Sequence, residues 1–122
     1  MIRAYVPSTL PHVVDWHTLG AIPAGTAITA VTEALRANYP QADEEELEFL
    51  ATKAAEEVST VAAMTSGQRR AAVAVDVPAD KAHPVAGGMT SMTLSADVPV
   101  ADWAAVFVDD LEWYAVDEIV HL

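Results

Sequence analysis

Cysteine is absent from the chain. Its absence excludes disulfide bonds, thiolate nucleophiles and the cysteine-ligated zinc and iron–sulfur sites in one step. A chain without disulfides also fits a reducing compartment, where such bonds rarely persist.

Basic residues are scarce, with 6 lysines and arginines against 18 aspartates and glutamates and a formal net charge of −12. A nucleic-acid-binding surface needs clustered cations that displace counterions from phosphates, and Arg69 and Arg70 form the one adjacent basic pair. Anionic membrane surfaces repel such a chain for the same reason. We therefore expect no nucleic-acid and no membrane partner, and we interpret the acidity mainly as solubility. A basic protein partner remains open as an alternative.

Long apolar segments are also missing. No run of apolar residues approaches the ~20 needed to cross a bilayer. Residues 1–7 lack the charged start and the long apolar stretch of a signal peptide. The expected location is the cytoplasm.

Small apolar residues are plentiful. The 122 residues are 52% hydrophobic, largely alanine and valine, and this is enough for one domain over residues 1–122 with one core. Alternation of apolar and polar residues predicts five strands, at residues 2–6, 26–31, 70–77, 91–98 and 104–108. We place the last of these in the centre of the sheet because it is apolar on both faces.

Helical spacing predicts four helices. The first runs from Ser8 or Thr9 to Leu19 and follows Pro7, which ends the first strand; the second covers residues 33–38. The third is capped by Asp43 and extends from Glu44 to about Met64. Its expected buried stripe is made of Leu47, Leu50, Ala51, Ala54, Val58 and Val61. The fourth is capped by Asp109 and extends to the end of the chain.

The predicted last helix carries apolar residues on two faces. Trp113, Val116 and Val120 form the second of these faces. A helix that is apolar on two faces lies deep in a core or contacts a partner, and aromatic residues are enriched in interface cores. This helix is therefore a candidate homo-oligomer interface, and packing within the monomer is the alternative.

Helices and strands follow one another in an order that does not give the alternating units of a doubly wound parallel fold. We predict an α+β fold: a single mixed or largely antiparallel sheet of about five strands. The first helix and the long third helix are expected to pack mainly on one face of that sheet.

Four segments together resemble a family of small uncharacterised actinobacterial proteins. They are residues 2–7 (IRAYVP), 43–48 (DEEELE), 74–78 (AVDVP) and 105–110 (AVFVDD). The resemblance covers nearly the whole chain and implies a bacterial cytoplasmic protein. It implies no catalytic residue and no cofactor.

One candidate site lies on the first helix. His12 and Asp15 are three residues apart and can share a helix face, where a carboxylate can orient an imidazole for acid–base chemistry. His17 is five residues from His12, which is unsuited to chelation of one metal ion by both. The serines, Ser8 among them, show no nucleophile-elbow motif, although a triad can still assemble in space.

A second candidate site is Asp109–Asp110. The pair follows the strand that we expect to be central, and carboxylates at such a strand end often hold magnesium or a substrate. No phosphate-binding loop accompanies the pair, and helix capping also accounts for Asp109.

Two hypotheses for the function follow. The first is a non-enzymatic binding or self-associating module without a cofactor. The second is a small metal- or ligand-dependent enzyme that uses Asp109 and Asp110, with His12 and Asp15. We favour the first because convergent polar groups in a pocket are the usual signature of an enzyme and the sequence shows none.

Overall fold

Strands with alternating apolar residues form one antiparallel sheet in the computed structural model. The structure describes residues 1–109 and 112–121. For residues 112–114 and 119–121 it describes the backbone alone. In chain order, the strands are β1 (Ile2–Thr9), β2 (Ala21–Ile22), β3 (Ala27–Ala30), β4 (Arg70–Val77), β5 (Ala82–Pro84), β6 (Ser91–Leu94), β7 (Val98–Pro99), β8 (Trp103–Val108) and β9 (Glu112–Tyr114). The helices are α1 (Leu10–Leu19), α2 (Glu33–Asn38) and α3 (Glu44–Ser66), with short 3₁₀ turns at Ala79–Lys81, Val100–Asp102 and Val116–His121.

The main sheet has seven strands in the order β5-β6-β3-β1-β4-β8-β9, and β2 pairs with β7 in a separate two-stranded ribbon. All the pairings are antiparallel. The α+β class and the largely antiparallel sheet are therefore confirmed. Each of the five expected strands has its counterpart in the main sheet. The two strands of this sheet that sequence reasoning missed, β5 and β9, are three-residue edge strands too short to show an alternating pattern. The expectation that the strand at residues 104–108 is central is wrong, because β8 lies next to the edge strand β9.

Strand β1 extends further than its sequence predicts. Pro7 does not end it, because the strand runs on to Thr9 in register with β4. On its other side, however, β1 pairs with β3 only at Ala4 and Tyr5. Proline lacks a backbone N–H and is tolerated in a strand where the ladder on one side has stopped. The two strands diverge beyond Tyr5, and this divergence opens the cavity described below.

The two longer helices lie on opposite faces of the sheet. Helix α1 contributes Leu10, Val13 and Trp16 to the main core, which is built on the face that carries Val6 and Val73. Helix α3 covers the other face and is bound to it through polar side chains. Tyr5 Oη donates to Glu48 at 2.7 Å, Thr29 Oγ1 donates to the Ala51 carbonyl at 2.8 Å, and Ser59 Oγ contacts the backbone of β1 and β4. The structure thus differs from the expectation that α1 and α3 share a face.

Helix α3 begins and ends as its sequence predicts. The Asp43 side chain accepts a hydrogen bond from the Glu46 amide at 2.8 Å, and Gly67 closes the helix in the left-handed conformation, with φ of 74°. Its buried residues recur at four-residue steps: Leu47, Ala51, Ala55 and Ser59. The prediction that Val58 and Val61 belong to the buried stripe is wrong, because both side chains are exposed.

The predicted last helix is absent from the described residues. Asp109 adopts a positive φ of 54° instead of capping a helix, and β9 then pairs back onto β8, with Trp113 opposite Phe107 in the register. The chain continues from Val116 as a 3₁₀ turn. Strand pairing satisfies the backbone of β8 at this edge of the sheet, which an isolated helix would leave unpaired.

Candidate functional site

The first candidate pair, His12 and Asp15, is not assembled as the spacing suggests. Both side chains are exposed on α1, and Asp15 makes no hydrogen bond or ion pair with His12 in the part of the chain that the structure describes. His12 Nδ1 instead lies 3.2 Å from the Ser8 hydroxyl. His17 contacts Trp103 edge-on, with 6.0 Å between the ring centroids. Asp15 therefore does not orient the imidazole of His12 as expected.

The second candidate, Asp109, is held by a cation. Arg69 Nη2 donates to Asp109 Oδ2 at 2.6 Å, and Arg69 Nε donates to the same oxygen at 3.0 Å. These hydrogen bonds hold the pKa of the Asp109 carboxyl below its ordinary value. Asp109 thus serves as the ion-pair partner of Arg69 at the turn after β8. Asp110 lies outside the described residues.

The Arg69–Asp109 pair gives a prediction for pH dependence. We expect Asp109→Asn to destabilise the protein by less than about 1 kcal/mol near neutral pH, since the pair is solvent-exposed. Asparagine tolerates a positive φ, so the substitution tests the charge and not the backbone. Because the pKa of Asp109 is lower in the folded than in the unfolded chain, the ion pair stabilises fully above the unfolded value of about 3.9. Its contribution is lost as the pH falls through the folded-state pKa.

The measurement is the difference in melting temperature between the wild type and Asp109→Asn, followed downward from neutral pH for as long as both stay folded. We expect the difference to shrink in acid. A difference that stays constant across the pH range would show that the charge of Asp109 does not stabilise the fold.

The residues proposed for an interface by the sequence are now placed differently. Val116 is half-buried and packs against the main core. Trp113 and Val120 are described by their backbone alone, in β9 and in the 3₁₀ turn. In the described part of the chain these three residues do not form one face of a helix, because β9 and the 3₁₀ turn take its place.

Two features are absent from the residues that the structure describes. No group of three or more histidine, aspartate or glutamate side chains is arranged to hold a metal ion. No helix in the same part of the chain has the length and hydropathy to span a membrane.

A cavity of about 500 Å³ opens where β1 and β3 diverge. Strand β1 and the start of α1 form one wall, β3 and the turn before it form another, and the carboxyl end of α3 closes the third side. The lining residues are Pro7, Ser8, Thr9, His12, Trp16, Pro23, Thr26, Ala27, Ala62, Ser66 and Gln68. None of them is a lysine, arginine, aspartate or glutamate, in a chain with 24 such residues (6 basic and 18 acidic).

Two buried residues with hydroxyl groups line this cavity. Ser8 and Thr9 are each 7% exposed. Ser8 Oγ is 3.2 Å from His12 Nδ1, and Thr9 Oγ1 donates to Gln68 Oε1 at 3.1 Å. The two bonds fix the rotamers of four polar side chains that converge from β1, α1 and the loop after α3. Such convergence of a few polar groups in an otherwise apolar cleft is the usual form of a ligand site.

The cavity also has an aromatic wall. The ring of His12 packs on that of Trp16, with 4.2 Å between centroids and an interplanar angle of 38°. Trp16 is buried in the core and His12 is exposed, so the stack extends from the core to the surface. A planar ligand ring can pack against such a surface.

The Ser8–His12 pair has part of the arrangement of a nucleophile and its base. A working serine nucleophile also requires a third group that orients the base, and donors for an oxyanion. Asp15 does not contact His12, and neither Asp15 nor Asp109 lines the cavity. In this structure the Ser8 hydroxyl and the His12 imidazole contact one another without Asp15.

A larger depression of about 620 Å³ lies at the start of α3. It is lined by Tyr39, Phe49 and the acidic first turn of the helix. Its carboxylates have a structural role already, because negative charge complements the amino end of a helix and Asp43 caps it. None of the residues that the structure describes around this depression is buried, and we take the cavity at β1 as the candidate site.

Sequence reasoning missed this site for an identifiable reason. Ser8 and His12 are only four residues apart, but this spacing indicates a contact only once it is known that β1 ends at Thr9 and α1 begins at Leu10. Gln68 lies 59 residues after Thr9, and the two meet because β1 and β4 pair side by side. No pattern within a single segment indicates that contact.

Comparison with known proteins gives a family but no activity. The model of a protein family described as a family of unknown function (DUF6912) matches residues 2–112. No curated protein and no solved structure matches the chain. The family match covers every element from β1 to β8 and includes the residues of the cavity.

Proposed function

The chain belongs to DUF6912, a family of unknown function, and we propose that it is a non-enzymatic binding module whose ligand occupies the cavity between α1, β3 and α3. The single observation that carries the proposal is the convergence of Ser8, Thr9, His12 and Gln68 on an uncharged cavity of about 500 Å³. A volume of this size is in the range of small-molecule sites, roughly 300–1,000 Å³.

The lining favours an uncharged ligand. A bound carboxylate, phosphate or ammonium needs an opposite charge or several strong donors when it leaves water. The cavity contains hydroxyls, one amide and one imidazole, and the net charge of −12 repels anions over the whole surface. The ligand class that fits is a small neutral molecule with hydrogen-bonding groups and a planar ring, which packs against His12 and Trp16.

The second hypothesis, an enzyme built on Asp109, Asp110, His12 and Asp15, has less support. Its residues are not brought together: His12 lines the cavity, whereas Asp15 and Asp109 do not. Asp109 is engaged by Arg69. We therefore retain the binding module as the proposal.

A cavity-filling substitution tests the proposal. Ala62 and Ala63 are neighbours on α3 and are both half-buried, but only Ala62 lines the cavity. We expect Ala62→Phe to weaken ligand binding at least tenfold, because the added ring occupies the ligand's volume, and Ala63→Phe to leave it unchanged. The probes are nucleosides, which are neutral and carry a planar base, titrated into ¹⁵N-labelled protein and followed by amide chemical-shift changes.

Two results would contradict the proposal. One is that the amides with the largest shifts lie away from Ser8, Thr9 and His12. The other is that Ala62→Phe and Ala63→Phe bind the same probe equally well. Native mass spectrometry of freshly purified protein, before and after denaturation, adds an independent readout, since a retained ligand appears as extra mass over 12.9 kDa.

A further inference from the structure

Thr9 occupies the capping position of helix α1 but does not cap the helix. Its backbone is extended, with φ of −116°, and it directly precedes Leu10, the first residue of α1. A threonine at this position commonly accepts a hydrogen bond from an amide of the first turn. The Thr9 side chain accepts none from that turn, which the structure describes in full, and its hydroxyl donates to Gln68 Oε1 instead. A stabilising local interaction is thus replaced by a contact at the cavity, and departures of this kind are typical of functional sites.

The backbone around Gln68 is held on both sides. The Gly67 amide donates to the Ala63 carbonyl of α3 at 2.8 Å, and the Leu10 amide at the start of α1 donates to the Arg69 carbonyl, also at 2.8 Å. Because the neighbouring main chain and the side-chain oxygen are both fixed, the carboxamide of Gln68 is oriented before a ligand arrives. A pre-organised group binds more tightly, since it loses less conformational freedom on binding.

One edge of the Gln68 carboxamide remains available to a ligand. Gln68 is exposed, and its Nε2 makes no hydrogen bond to the residues that the structure describes. Its Oε1 has a second lone pair beyond the one that Thr9 uses. The carboxamide therefore presents a donor next to an acceptor. Such a pair binds a ring edge that carries an acceptor next to a donor, as glutamine does with adenine.

We propose that Gln68 determines the specificity of the cavity by pairing with a neutral heteroaromatic ring whose edge carries an acceptor next to a donor, as the edges of nucleobases do. This inference rests on the ligand site proposed above and adds the hydrogen-bonding pattern of the ligand. The ring packs against His12, which lines the same cavity and stacks on Trp16. Because no charged side chain lines the cavity among the described residues, the free base or nucleoside is favoured over a nucleotide.

The decisive experiment compares adenosine with purine riboside, which has the same ring system and sugar but lacks the exocyclic amino group. Both are titrated into the wild type, Gln68→Met and Gln41→Met. Methionine keeps the length of glutamine without its carboxamide, and Gln41, the other glutamine of the chain, is exposed and does not line the cavity. We expect the wild type and Gln41→Met to bind adenosine about three- to tenfold more tightly than purine riboside, the usual contribution of one hydrogen bond. We expect Gln68→Met to bind the two probes equally.

Thr9→Val tests the anchoring of the carboxamide. Valine keeps the shape of threonine but cannot donate to Gln68, and no cap of α1 is lost with the hydroxyl. We expect the preference for adenosine to fall below that of the wild type, while the far-UV circular dichroism stays unchanged. A preference equal to that of the wild type would contradict the role of Thr9 in orienting Gln68.

The ratio of the two affinities separates this inference from the proposed function. If Gln68→Met weakens both probes by the same factor, Gln68 only shapes the cavity, and the inference is overturned. It is also overturned if the wild type binds the two probes equally, binds neither, or binds adenosine monophosphate more tightly than adenosine. Where a probe binds, weaker binding by Ala62→Phe still supports the ligand site. Where neither binds, a retained ligand in native mass spectrometry decides separately whether the cavity holds another molecule.

Discussion

Replacing Trp103 with alanine is expected to lower the free energy of unfolding by about 3–5 kcal/mol, the usual cost of removing a large aromatic side chain from a core. Trp103 begins β8, is 6% exposed and packs in the main core. Its indole N–H donates to the Val98 carbonyl at 3.2 Å, and the ring contacts His17 edge-on. One side chain thus connects β8 of the main sheet, strand β7 of the small ribbon and helix α1. The loss is large because the surrounding elements cannot all collapse into the space that the ring leaves.

The measurement is urea denaturation followed by far-UV circular dichroism, since tryptophan fluorescence changes with the substitution itself. Phe49→Ala is the matched control, because it also removes an aromatic ring but from a 64% exposed position on α3. We expect that control to lie within about 0.5 kcal/mol of the wild type. A loss below about 1.5 kcal/mol for Trp103→Ala would show that the ring is not an essential contact between these elements.

The strands were predictable because their signal is local. Residues such as Ala71, Val73 and Val75 alternate with neighbours of the other face, and a period of two appears in any window of the chain. The end of the chain shows the limit of such patterns. Its apolar spacing is compatible with a helix, but residues 112–114 pair with Val106–Val108 as a short hairpin. A strand of three residues is too short to show the alternation that distinguishes it from a helix. The left-handed backbone of Asp109 is a consequence of that pairing.

Helix α3 shows a second limit. Its position and period were predicted, but its buried face was not. Four-residue steps advance by 400°, so the buried side chains drift by 40° per step, from Leu47 round to Ser59. The buried face of α3 therefore depends on the angle at which the helix crosses the sheet. Tertiary packing, rather than the sequence of the helix alone, determines that angle. For this reason Val58 and Val61 fit the sequence pattern and are nevertheless exposed.

The candidate site falls between these cases. His12 was singled out on sequence grounds, with Asp15 as its partner. The structure gives it Ser8 instead, four residues earlier and at the end of β1. Whether Ser8 or Asp15 contacts His12 depends on the direction in which the chain enters α1. Pro7 led to the wrong prediction that β1 ends before Ser8, because proline marks a strand end in most sheets. Thr9 and Gln68 belong to the site only through the pairing of β1 with β4.

Ser59→Ala is expected to lower the free energy of unfolding by about 2–3 kcal/mol, more than most losses of a single hydroxyl. Ser59 is 1% exposed on the sheet-facing side of α3. Its Oγ lies 2.6 Å from the Ser8 carbonyl and 2.9 Å from the Ala71 carbonyl, to which it donates, and it accepts the Ala71 amide at 3.0 Å. Alanine leaves the Ala71 amide buried without its acceptor. An unsatisfied buried group costs its full desolvation penalty, about 1–3 kcal/mol, in addition to the lost contact.

The control for this prediction is Thr65→Ala on the same helix, where the hydroxyl is exposed, donates to the Val61 carbonyl and does not line the cavity. We expect a change of no more than about 0.5 kcal/mol there, measured by the same urea titration. Equal losses at the two positions would mean that helix propensity, rather than the contact with the sheet, determines the effect. A large loss at Ser59 alone has a further consequence. Because Ser59 holds the Ser8 carbonyl, the substitution should also alter the amide shifts around the cavity, linking the packing of α3 to the geometry of the proposed ligand site.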